Sequence, residues 1–76
     1  MKLGNNVKRL RFEAETMSQE SLAERIGVTR QTIISIEKGR FVPSTLLALR
    51  LAATFDTQVE DVFFLKEEES PVTERR

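Results

Sequence analysis

The segment from Thr29 to Lys38 carries polar side chains of the types that bond the edges of nucleic-acid bases. At about 100° per residue in a helix, Ile33 and Ile36 share one side. The opposite side and its flanks carry Arg30, Gln31, Ile34, Ser35 and Lys38. Arginine can form two hydrogen bonds with guanine, and glutamine can form two with adenine. Serine can bond the edge of either base, and an apolar side chain can contact the thymine methyl. The alternative interpretation is an ordinary polar first turn followed by a solvated lysine.

A second short helix precedes this segment, because Ser18 is a suitable N-cap and apolar residues follow it at helical spacing. Those apolar residues are Leu22, Ala23 and Ile26. Gly27 tolerates the left-handed backbone of a sharp helix exit, Thr29 can cap the next helix, and Gly39 can end it. Two helices across so short a turn fit a helix-turn-helix unit, whose second helix can enter the major groove of DNA. A helical hairpin of any small bundle is the other interpretation.

The rest of the chain is expected to form the helices that pack behind these two. Asn5 or Asn6 can cap an opening helix, and Thr45 to Phe55 is the most apolar helix, which we expect at the centre. A short fifth helix follows, while Lys2 and Leu3 could form an edge strand. We therefore predict an all-α fold, a compact bundle of five helices in which short terminal strands are allowed. Phe41 is expected to pack into the core.

Length and composition bound the possible functions. At 76 residues the chain forms one domain; we expect it to span residues 1–66, with a charged, disordered tail at 67–76. Cysteine and histidine are both absent, which removes disulfides, the usual zinc sites and the imidazole base. We expect no metal, no cofactor, no small-molecule substrate and no enzymatic activity. No apolar run approaches the ~18 residues of a membrane span, so we expect a cytoplasmic protein without a membrane partner.

Charge is distributed unevenly along the chain. The formal net charge is zero, which taken alone argues against a polyanionic partner. Residues 26–50 nevertheless hold four cationic side chains against Glu37 alone, a local charge of +3, whereas residues 67–69 are all glutamate. Because fields act within roughly a Debye length of ~8 to 10 Å, the local basic surface is the more informative quantity.

Five motifs in order, SQESLA, GVTRQTI, IEKG, PS and LALRLA, resemble the xenobiotic-response-element type of bacterial regulator, which is related to phage Cro and repressor domains. The resemblance covers about residues 5–65. It implies that Gln19 lies against a phosphate, that Arg30, Gln31 and Ser35 face bases, and that Arg11 pairs with Glu37. We add Ile34 to the base contacts. The further phosphate contacts that we predict are Thr29, Thr32, Lys38 and Arg40.

The sequence departs from the common family pattern at three places. The segment between Arg11 and Ser18 is one residue longer than in many members. Asp56 stands where a glycine often ends the fourth helix, although aspartate can adopt the left-handed conformation required there. Thr45-Leu46 exchanges the usual order of an apolar and a polar residue.

These features predict a transcriptional regulator that binds double-stranded DNA as a homodimer on a two-fold related operator. The predicted dimer interface is the apolar run Val62, Phe63, Phe64 and Leu65. Two alternatives stay open for that run: it could curl back and bury Phe63 and Leu65 in a monomer, or it could extend as a strand against Lys2-Leu3 or against its copy. An antitoxin-like module that binds a protein partner and regulates its own gene is the alternative function.

Overall fold

The computed structural model describes residues 2–67, which form five helices and one two-stranded sheet. In chain order the elements are β1 (Lys2–Asn5), α1 (Val7–Glu13), α2 (Gln19–Ile26), α3 (Arg30–Glu37), α4 (Thr45–Thr54), α5 (Val59–Val62) and β2 (Phe63–Lys66). The five expected helices and the terminal strands are therefore present. None of these helices is both long enough and apolar enough to cross a membrane. The tail predicted at 67–76 lies outside the described residues from residue 68 onward.

Side-chain caps fix where the three longest helices begin. The hydroxyl oxygens of Ser18, Thr29 and Ser44 accept hydrogen bonds from the backbone N–H three residues later, at 2.9, 3.2 and 3.2 Å. Each of these bonds satisfies a donor that the first turn of a helix leaves without a partner. Gly27, with φ 80°, ends α2 in the left-handed region. The tight turn predicted between α2 and α3 is thus confirmed.

The turn that ends α4 also follows the expectation from sequence. Asp56 adopts a left-handed conformation with φ 55°, where the family pattern often has glycine. Asp61 then accepts hydrogen bonds from the Thr57 hydroxyl at 2.7 Å and from the Gln58 backbone N–H at 3.4 Å. These two bonds stabilise the carboxylate and hold the pKa of Asp61 below its usual value. The charged side chain thereby marks the start of α5.

The core lies where α2, α3 and α4 meet, with contributions from α1, α5 and β2. Its fully buried large side chains are Val7, Leu22, Ile26, Ile33, Ile36, Leu51 and Val62. Leu51 lies near the middle of α4, the helix that the sequence predicts as the central support. Because Ile33 and Ile36 both point into this core, the orientation of α3 about its own axis is fixed by packing.

The two strands pair antiparallel and join the ends of the described chain. Leu3 lies opposite Leu65, and Gly4 lies opposite Phe64. The Phe64 ring covers Gly4 so closely that a Cβ at residue 4 would collide with it. Successive residues of a strand point to opposite faces, so Phe63 and Leu65 share the face turned toward the core, and Phe64 lies on the outer face. Pairing with Lys2-Leu3, one of the alternatives from sequence, is confirmed.

This pairing corrects the predicted dimer interface. Val62 and Phe63 are 0% and 9% exposed because both pack into the chain's own core, so they are not available to a second subunit. Phe64 remains 40% exposed and Leu65 67% exposed, since Leu65 lies beyond the edge of the core. The prediction that Phe41 fills the core is wrong: it is 44% exposed, because the loop before α4 carries it along the surface.

We expect Phe63→Ala to lower the free energy of unfolding by about 3 kcal/mol, because it empties a buried site. The matched control is Phe12→Ala, since Phe12 is 52% exposed and should change stability by less than about 1 kcal/mol. Urea denaturation monitored by circular dichroism measures both. A Phe63→Ala protein of unchanged stability that had lost self-association would instead support the interface predicted from sequence.

Candidate nucleic-acid interface

The two sides of α3 differ as the periodicity predicts. Ile33 and Ile36 are 0% and 1% exposed. On the other side Arg30 and Gln31 are exposed in the first turn, while Ile34 and Ser35 are half-buried in the second. All four predicted base-contacting side chains therefore lie on the same short helix, and none of them is needed to fill the core. The exposed first turn leaves Arg30 and Gln31 the greatest reach toward a ligand.

Two threonines organise the start of α3. The Thr29 hydroxyl accepts the Thr32 backbone N–H, and the two hydroxyl oxygens lie 3.1 Å apart, within hydrogen-bonding distance. Both side chains are predicted to contact phosphates. One hydroxyl donates to the other, so the accepting hydroxyl keeps its own hydrogen for a phosphate, whereas the donating one would have to break their mutual bond. These two contacts stay predictions.

Two exposed cations follow the last residue of α3. Gly39, with φ 76°, allows the Arg40 N–H to bond the Ser35 carbonyl at 2.9 Å, while its own N–H bonds the Ile36 carbonyl at 3.0 Å. This pair of bonds is the Schellman arrangement that commonly closes a helix. Lys38 and Arg40 are both exposed at this end. They are well placed as candidates for phosphate contacts, because phosphate contacts come largely from lysine and arginine.

An ion pair ties the opening helix to α3. Arg11 donates from Nε to one Glu37 carboxylate oxygen at 2.6 Å and from Nη2 to the other at 3.1 Å. The side chains are only 9% and 8% exposed, and Arg11 Nη1 also donates to the Met17 carbonyl at 2.8 Å. The pairing implied by the family resemblance is present. It neutralises the carboxylate of Glu37 and holds it away from the exposed face of α3.

The longer segment before α2 leaves this pairing intact. Glu15 and Thr16 both adopt left-handed conformations, with φ 59° and 57°. Two such residues in succession turn the chain sharply, and the Met17 N–H then bonds the Arg11 carbonyl at 2.8 Å. The additional residue is therefore absorbed in the loop, while Arg11 keeps its position opposite Glu37.

Gln19 has a bond that the sequence did not reveal. Its side-chain amide donates to the Glu37 carboxylate at 3.1 Å, so α1 and α2 both bond to the same acidic group of α3. The second hydrogen of the Gln19 side-chain amide is left to donate to a phosphate, and that contact stays a prediction. A sequence separation of 18 residues carries no periodic signal, which explains why this bond was missed.

Two further polar side chains hold helix ends in place. The Asn5 amide donates to the Ile36 carbonyl at 2.9 Å, near the end of α3. Arg50 donates to the Ile26 carbonyl at 3.2 Å, at the end of α2. Arg50 belongs to the local basic run, yet its guanidinium completes a helix end. Among residues 2–67, no group of three or more acidic side chains is placed to hold a metal ion.

We expect Glu37→Gln to lower the free energy of unfolding by about 3 kcal/mol, since it leaves the buried Arg11 charge without a partner. Arg11→Met should also reduce stability, and both variants should bind DNA more weakly because α3 loses its anchor. The matched control is Glu13→Gln, which breaks an exposed pair with Arg9 at 3.7 Å and should cost less than about 1 kcal/mol. Thermal melting and DNA titration measure these effects. A Glu37→Gln protein of unchanged stability with tighter DNA binding would contradict this role.

The chain is similar to known regulators over most of its length. The helix-turn-helix family model matches residues 8–62. YgzD of Bacillus subtilis (strain 168), an uncharacterized HTH-type transcriptional regulator, is 55% identical over 64 residues, which cover 84% of this chain and 96% of YgzD. MJ0272 of Methanocaldococcus jannaschii, also an uncharacterized HTH-type transcriptional regulator, is 47% identical over 53 residues, which cover 70% of this chain and 80% of MJ0272.

A solved structure supports the same assignment. The restriction-modification controller protein C.AhdI from Aeromonas hydrophila superposes with a TM-score of 0.66 at 30% identity, covering 74% of this chain and 83% of C.AhdI. Proteins of the helix-turn-helix regulator family bind double-stranded DNA and catalyse no reaction, so the expectations of a DNA partner and of a non-enzyme are confirmed. The chain belongs to the helix-turn-helix family of DNA-binding transcriptional regulators.

Proposed function

We propose that this regulator acts in the cytoplasm as a homodimer on a two-fold related operator, with one α3 helix in the major groove of each half-site. The observation that carries this proposal is the composition of the exposed side of α3. Arg30 and Gln31 are exposed there, while Glu37, the acidic side chain of the same helix, is bonded to Arg11. Phosphates approaching α3 would therefore meet cations and amides.

Base recognition is assigned to two successive turns of α3. Arg30 and Gln31, in the first turn, have the forked donor and acceptor groups that distinguish guanine and adenine. Ile34 and Ser35 lie one turn later and are half-buried, which suits shorter contacts such as an apolar contact with a thymine methyl. The order of bases in the operator depends also on the docking angle of the helix, so side-chain identity alone does not define it.

Phosphate contacts are assigned to both ends of the motif. Lys38 and Arg40 supply charge after α3, while Thr29 at its N-cap and Thr32 in its first turn supply hydroxyls. Gln19, at the start of α2, supplies an amide that Glu37 already orients. Contacts of this kind fix the position of a protein on the duplex and carry little sequence information. A dimer bound at a promoter would then either block polymerase or recruit it.

The assignment of base contacts is tested on a site selected from random DNA. Arg30→Ala and Gln31→Ala should each weaken binding to that site by about 1 to 3 kcal/mol and weaken binding to random DNA much less. Both residues are exposed, so the fold should be retained. Titration of each protein with both DNAs measures the difference.

Arg40→Ala provides the matched control for a phosphate contact. It should weaken binding to the selected site and to random DNA about equally, and it should reduce the slope of log affinity against log salt by about one. Equal losses on both DNAs for Arg30→Ala and Gln31→Ala would instead make these residues phosphate contacts.

A further inference from the structure

An exposed apolar surface begins in the loop after α3 and continues along α4. Val42 is 72% exposed, Leu46 59% and Leu49 53%. Leu46 and Leu49 are three residues apart in a helix, so their side chains lie on the same face. Neither contributes to the buried core. Leucines exposed together in this way commonly mark a surface that another molecule covers.

A groove of about 230 Å³ adjoins this face. Leu3 of β1, Pro43 of the loop, and Leu49 of α4 lie along its walls, and Phe63 also lines it. Leu65 is on the same face of the sheet as Phe63 and pairs with Leu3, so it extends the rim of the groove beyond the core. Leu49 of α4 therefore lines the groove, and Leu65 of β2 lies next to its wall through its pairing with Leu3.

The charge pattern favours a second copy over a charged partner. Residues 41–49 contain no ionisable side chain, and this is the longest such run in a chain of which 32% is charged. At a two-fold contact a residue on the axis lies near its own copy, so a charged side chain there would be repelled by the same charge on the other subunit. An apolar surface without charges is compatible with its own copy, whereas a charged partner would be matched by charges of opposite sign.

We infer that the α4 surface, defined as Val42, Leu46, Leu49, Leu65 and the groove beside them, binds a second copy of this chain about a two-fold axis. This inference rests on the proposed function, because it locates the contact that the proposed homodimer requires. It replaces the interface predicted from sequence, of which only Leu65 is retained. Phe64 lies on the opposite face of the sheet, over Gly4.

The spacing of DNA half-sites is consistent with this surface. Half-sites one helical turn apart are separated by about 34 Å, so each α3 must lie roughly 17 Å from the two-fold axis. Val42 follows Glu37, the last residue of α3, by five residues, which span at most about 18 Å even when fully extended. A contact at this surface therefore keeps both recognition helices near the axis.

Single cysteines test the contact directly, because the chain contains no cysteine of its own. Val42→Cys, Leu46→Cys and Leu49→Cys are prepared separately, with Phe12→Cys as the control of similar exposure on α1. Disulfides need Cα atoms within about 7 Å, so only a position close to the axis can cross-link rapidly. Mild oxidation at micromolar concentration should give a covalent dimer from at least one of the three surface variants and none from Phe12→Cys.

Sedimentation equilibrium of Leu49→Glu supplies the second readout. The glutamate brings like charges together at the contact, so the dimer should dissociate at least tenfold more readily, while Phe12→Glu should associate as the unchanged protein does. Circular dichroism checks that the helices remain; if Leu49→Glu unfolds, the cysteine variants decide.

The experiments distinguish failure of the α4 surface from failure of the proposed homodimer. A stable dimer that survives Leu49→Glu and forms no surface cross-link would overturn the α4 surface, and the proposed homodimer would stand. Loss of the dimer in Phe64→Glu with none in Leu49→Glu would move the contact to the outer face of the sheet. An unmutated protein that stays monomeric at tens of micromolar and still binds its operator fully would overturn both the surface and the proposed homodimer.

Discussion

The carboxylate of Glu37 is the group on which the geometry of the DNA-binding face depends. It receives two hydrogen bonds from Arg11 of α1 and one from Gln19 of α2, and it belongs to α3 itself. Three helices are therefore joined at one nearly buried anion. An unpaired charge in this position would be costly, so the pairing constrains how α1, α2 and α3 can lie relative to one another. The exposed side chains of α3 are presented in one orientation as a result.

The same bonds separate structural from functional residues on α3. Ile33 and Ile36 are used by the core, and Glu37 by the ion pair, which leaves Arg30, Gln31 and the flanking groups free to meet a ligand. This separation also explains why a chain of zero net charge can bind DNA. The acidic side chain of α3 itself is neutralised by Arg11, while the cations at both ends of α3 stay exposed.

Local features of this fold could be predicted from sequence because their causes are local. Ser18, Thr29 and Ser44 cap helices through hydrogen bonds that span three residues, and Asp56 adopts the turn expected from its side chain. The buried face of α3 follows from the spacing of Ile33 and Ile36. The Arg11 to Glu37 pair was available only through the family resemblance, since no periodicity links residues 26 apart.

What could not be predicted depends on which distant segments meet. An apolar run such as 62–65 is compatible with a helix, a strand or an interface until its partner is known. Pairing with β1 decides that Phe63 faces the core and Phe64 does not. The bonds of Asn5 to Ile36 and of Gln19 to Glu37 arise in the same way, from contacts made only in the folded chain.

The most direct test of α3 as the helix that reads the major groove uses modified bases in a selected binding site. Replacing single purines with their 7-deaza analogues removes one acceptor in the major groove and leaves the minor groove unchanged. We expect that replacing one guanine weakens binding by the unmutated protein by about 1 kcal/mol or more but hardly changes binding by Arg30→Ala. Replacing one adenine should likewise weaken binding by the unmutated protein but hardly change binding by Gln31→Ala. Fully additive losses at every purine would contradict base recognition by these two residues.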